Sequence, residues 1–94
     1  MSDDIAARLA EISARFAART GGYRAQLAEA DRAGNRDAVT SLAHRLAGIS
    51  AMFGQGAIGD AALALEECAE RGDDYAGELA ALDGLLAALE AANG

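Results

Sequence analysis

The sequence predicts an all-α protein, an antiparallel up-down four-helix bundle with an additional N-terminal helix. Three observations lead there. The 94 residues contain no proline, and alanine dominates a hydrophobic fraction of 52% in which aromatics are only 4%. Such composition favours helix nearly throughout. Apolar residues recur at steps of three and four, the helical period. The segments between these stripes are only a few residues long, which joins neighbouring helices antiparallel. Ninety-four residues suffice for one modest core, so residues 1–94 are expected to be a single domain.

The N-terminal helix starts after Ser2 or Asp3, either of which can cap it, and carries Ile5, Leu9, Ile12 and Phe16. "TGG" at Thr20 to Gly22 is expected to interrupt it. A second helix follows with Tyr23, Leu27 and Ala30. Because Phe16 and Tyr23 are seven residues apart, the stripe keeps its phase, and one bent helix is the alternative. Gly34 suits a C-terminal cap and Asn35 the next N-cap. The third helix runs from about Arg36 to Phe53 with Val39, Leu42, Leu46, Ile49 and Phe53 as its stripe. "GQG" at Gly54 to Gly56 is a turn. The fourth helix presents Ile58, Ala62, Leu65 and Ala69, and "RGDD" ends it. The fifth starts near Asp73 and presents Tyr75, Leu79, Leu82, Leu86 and Leu89.

Charge and composition exclude several classes of function. The formal charge of −7 and the pI of about 4.4 argue against phosphate backbones and anionic membranes as partners. No apolar run approaches the roughly 18 residues that span a bilayer. The acidic "MSDD" start is no signal peptide, so a cytoplasmic protein is expected; a monomer is the expected state. The single cysteine, Cys68, lies at the edge of an apolar stripe and reads as a packing residue. No Ser-His-Asp, Cys-His or metal-ligand spacing is present, and "GQGAIGD" lacks the preceding strand of a nucleotide loop. Glu66, Glu67 and Glu70 read as a solvated helix face.

His44 is the only histidine in the chain. With Val39 at 0° and about 100° per residue, the third stripe centres near −40° and His44 falls near +140°. The imidazole therefore points away from the core. Thr40 and Ser41 precede it on that face, and Ala47, Gly48 and Ala51 follow. No carboxylate lies three or four residues away in either direction, and Asp37 is two turns off. A neutral imidazole offers an unprotonated ring nitrogen that can act as a nucleophile. Gly48 costs a helix about 1 kcal/mol relative to alanine. Its place one turn after His44 leaves space beside the ring for a phosphoryl group or a partner.

"AHRLAGISAMFGQGAIGDAALALEE" is similar to the signature of histidine-containing phosphotransfer (HPt) domains of bacterial phosphorelays. The matching positions are His44, Leu46, Gly48, Ser50, Gly54, Ile58, Ala62, Leu65 and Glu66. "EADRAGNRDAVTSLAH" also resembles the family's lead-in, and the likeness extends from about Phe16 to the end. The resemblance implies a four-helix bundle whose exposed histidine, here His44, exchanges a phosphoryl group with a receiver-domain aspartate. It also implies no nucleotide site and no cofactor of its own, with Mg²⁺ on the partner receiver. Response-regulator receivers and a hybrid histidine kinase are the implied partners. Thr40, Ser41, Arg45, Ala47, Gly48, Ala51, Met52 and Gln55 form the expected docking zone. The family usually has lysine three residues after its histidine; this chain has Ala47 there and no lysine at all. Arg45 is the nearest cation, displaced by about 100° around the helix. A degenerate domain that docks receivers or kinases without transfer is therefore the competing reading.

Overall fold

The computed structural model describes residues 2–93, with side chains from 4 to 92. Four helices follow in order: α1 Ser2–Arg32, α2 Arg36–Met52, α3 Gly56–Glu70 and α4 Ala76–Asn93. They form a ring in which α1 packs on α2 and α4, and α3 packs on α2 and α4. The up-down order is visible in paired residues. Along α1 from Thr20 to Arg24, contacts on α4 run backwards from Glu90 to Asp83.

The same hydrogen-bond pattern closes each of the first three helices. Asn35, Gln55 and Asp73 donate their N–H to the carbonyls of Ala30, Ser50 and Cys68, five residues back. The residue before each donor is a glycine with positive φ: Gly34 at 65°, Gly54 at 71° and Gly72 at 80°. This is the six-to-one helix stop, for which glycine avoids a Cβ clash. Asn35 then caps α2, its side chain accepting from Ala38 N–H at 3.1 Å.

The core holds Phe16, Leu27, Val39, Leu46, Ile58, Leu65, Leu82 and Leu86, from all four helices. Phe16 meets Phe53 and Tyr23 edge-on, with ring centroids 5.4 and 6.1 Å away. Arg36 ties the start of α2 to the end of α3. It donates to the carbonyls of Ala69 and Asp73 and lies 5.0 Å over the Tyr75 ring. Cys68 is buried, and that burial pushes its thiol above the ordinary range.

Two expectations for the N-terminus need correction. Among the described residues there is no additional helix, because α1 runs unbroken through "TGG". The seven-residue step from Phe16 to Tyr23 keeps one face inward, and Phe16, Ala17, Thr20 and Leu27 are all buried on it. That burial outweighs roughly 1 kcal/mol per helical glycine. The Thr20 hydroxyl adds a 2.7 Å bond to the Ala17 carbonyl. Gly21 also suits its neighbour, since a Cβ there would stand 3.3 Å from the Glu90 carboxylate.

The stripe's first half does not join the core either. Ile5, Leu9 and Ile12 are 63%, 58% and 37% exposed. At 1.5 Å per residue, the 31-residue α1 is about 46 Å long, whereas the other helices reach about 22–27 Å. The residues before Phe16 consequently project past the bundle. No described helix is long and apolar enough to cross a membrane.

Candidate functional site

The buried side of α2 consists of Val39, Ala43, Leu46 and Ser50. His44 stands opposite, and its side chain is 76% exposed. What lies beside it is decided by how closely α3 approaches. At Gly59 a Cβ would be 3.6 Å from both the Ala47 carbonyl and Ser50 Cβ, so the two helices approach to within side-chain contact here. The helices run antiparallel. Two turns further along α3, Glu66 arrives at the level of His44.

Glu66 Oε2 lies 2.7 Å from His44 Nδ1. The Glu66 side chain is only 12% exposed, so it is not part of a solvated face, and His44 is not free of acidic partners. Both expectations are corrected by one fact. Inspection within a helix could not find an acid that arrives from another helix.

This contact orders the ring. A carboxylate oxygen only accepts, so Nδ1 carries the proton it donates to Glu66. The lone pair of the neutral imidazole is then on Nε2, on the exposed side. An outward nitrogen nucleophile with a charged hydrogen-bond acceptor behind it is the chemical content of the site.

Thr40, Ser41, His44, Arg45, Glu66 and Glu70 line one open groove of about 570 Å³. Thr40 is half-buried, with its hydroxyl donating to the Arg36 carbonyl at 2.9 Å. Ser41 and Arg45 are exposed, and Arg45 makes no ion pair among the described residues. It is the only cation lining this groove, despite its offset from His44 around the helix.

The rest of the expected docking zone lies elsewhere on α2. Gly48, Ala51 and Met52 are exposed beyond the groove, Met52 by 80%. Ala47 is half-buried against the core. Gln55 is also half-buried, at the N-cap of α3. Among the described residues, no group of three or more His, Cys, Asp or Glu is arranged to hold a metal ion.

No heavy atom lies within 4 Å of a Cβ placed on Gly48, so this glycine is not required by helix packing. Gly59, by contrast, lies where α3 meets α2. Gly48→Gln should therefore leave the bundle folded and gain up to about 1 kcal/mol of helix propensity. The longer side chain would stand one turn from the ring, where a reacting group must come within about 3 Å. We expect transfer to His44 to slow about tenfold or more. Thermal melting and a transfer time course measure the two effects separately. A variant that transfers at the wild-type rate would show that Gly48 does not provide access.

In comparison with known families, the model of the Hpt domain matches residues 3–92. Neither the curated proteins nor the solved structures contain a significant match to the chain. The family model spans nearly the whole chain and includes the helix pair carrying His44 and Glu66. This protein belongs to the Hpt domain family, whose members act in histidine phosphotransfer in phosphorelays.

Proposed function

We propose that this protein is a phosphocarrier that accepts a phosphoryl group on Nε2 of His44 from a receiver-domain aspartate and can return it. The observation that carries this reading is the exposed imidazole whose Nδ1–H is bound to Glu66. In the forward step the Nε2 lone pair attacks phosphorus in line. The bond from phosphorus to the aspartyl oxygen breaks, and the carboxylate leaves on the receiver. No proton has to leave Nε2, because that nitrogen starts unprotonated. The ring becomes cationic as the N–P bond forms, and Glu66 faces that charge.

The receiver supplies Mg²⁺ and the aspartyl phosphate, and a hybrid histidine kinase is the source upstream. The groove holds no lysine, so Arg45 is the residue that would meet the phosphoryl oxygens. Thr40 and Ser41 complete the near contact, while Gly48, Ala51 and Met52 extend it along α2 and Gln55 continues it at the start of α3.

One observation favours a second reading, a docking module without chemistry. The position of the family's usual lysine is Ala47, half-buried against the core and unable to meet a phosphate. Incubation with a phosphorylated receiver separates the two. A carrier should gain the mass of one phosphoryl group, lost again in acid as expected of a phosphoramidate. Binding without any mass gain would support the docking module instead.

A further inference from the structure

We propose that the projecting part of α1 is a self-complementary surface that pairs two copies of this chain antiparallel. The apolar side chains are Ile5, Leu9 and Ile12, exposed beyond the bundle in a line that continues to buried Phe16. A helical stretch of about a dozen residues without tertiary packing is marginal in water, so this segment gains from a partner.

Charge identifies the partner. On a helical projection, Asp4, Arg8, Glu11 and Arg15 follow one edge of the stripe with alternating sign. The other edge is small, with Ala6, Ala10 and Ser13. In a two-fold antiparallel pair the charged edges of both copies lie on the same side and face each other. Centring the pair near Leu9 sets Arg8 opposite Glu11 of the second copy and Arg15 opposite Asp4 of the second copy. Both pairs are attractive, and each occurs twice. A parallel two-fold pair would instead set the charged edge of each copy against the small edge of the other, leaving these charges without partners across the seam.

The distribution of net charge agrees. Residues 1–22 hold three arginines and three acids, so the formal charge of −7 belongs entirely to residues 23–94. Antiparallel pairing of the neutral segments holds the two acidic bundles at opposite ends. Where α1 leaves the bundle, Ile12, Phe16, Ile49 and Phe53, with Arg15 and Arg19 beside them, line a hollow of about 190 Å³. Ile5 of the second copy approaches this hollow in the same register.

The overlap, Asp4 to Arg15, is about 18 Å long. That is small beside the roughly 800 Å² per partner of standard interfaces, and it points to dissociation in the micromolar range. His44 is nine residues from Phe53 at the other end of that hollow, so pairing leaves the histidine groove open.

Sedimentation velocity on the full chain, without any receiver, tests this apart from phosphotransfer. The weight-average mass should rise from one chain towards two between about 1 and 500 µM. Leu9→Ser should weaken association at least tenfold while the bundle's melting stays unchanged. Asp4→Arg with Glu11→Arg makes the edge all basic, and Arg8→Glu with Arg15→Glu makes it all acidic. Each double variant alone should remain monomeric, and an equimolar mixture should associate again. A wild type monomeric at 500 µM, an unaffected Leu9→Ser, or a mixture that stays monomeric would each overturn the proposal.

Discussion

His44→Gln is expected to remove phosphoryl labelling altogether while leaving the fold in place. His44 is the only histidine in the chain, so no other side chain can form a phosphoramidate through an imidazole nitrogen. Glutamine is at least as good a helix former, and the replaced side chain is 76% exposed. Its amide N–H can still donate towards Glu66. The change in stability should therefore stay within about 0.5 kcal/mol, as for other surface substitutions. Wild type and variant would be incubated with the same phosphorylated receiver, and label would be followed before and after acid treatment. The hydroxyls of Thr40 and Ser41 share the groove, so acid resistance is informative. Equal, acid-labile labelling of the variant would refute His44 as acceptor. Acid-stable label in wild type would move the acceptor to a hydroxyl.

How much of this could be read from residues alone depends on the range over which each signal acts. Helix ends in the bundle were legible because their causes are local. Gly34 and Gly54 stop one helix and Asn35 caps the next, each through bonds within a few residues. "TGG" misled for the same reason. Glycine propensity is local, but α1 continues because residues on both sides bury one shared face. The stripe Ile5, Leu9 and Ile12 shows the opposite difficulty. Periodicity reports that a helix has an apolar face, and it does not report whether anything covers that face.

The site divides in the same way. The outward direction of His44 follows from 100° per residue within one helix. Glu66 required the register between two helices. Yet a short turn at Gly54–Gln55 joining antiparallel helices makes residues equidistant from it neighbours. His44 and Glu66 lie 11 positions either side of position 55. Gly59 is the signal that this pair of helices approaches closely enough for such counting to reach a side-chain contact.

Glu66→Ala is expected to slow phosphoryl transfer to His44 by roughly 10- to 100-fold without removing it. The nucleophile itself survives the change, which sets the limit on the loss. What disappears is the acceptor that holds the proton on Nδ1 and fixes the ring plane. Both tautomers then compete, and only the one with an unprotonated Nε2 can attack outward. The negative charge facing the ring as it becomes cationic is lost as well. Glu66→Gln separates these contributions, because its amide oxygen can still accept from Nδ1–H while the charge is gone. It should fall between wild type and Glu66→Ala. Stability should change little, since ion pairs with one exposed member contribute about 1 kcal/mol or less. Nitrogen NMR of the imidazole gives a readout that packing alone would not move: one dominant tautomer in wild type and a mixture in Glu66→Ala. If the alanine variant kept both the wild-type rate and a single tautomer, the contact with Glu66 would be incidental to the chemistry.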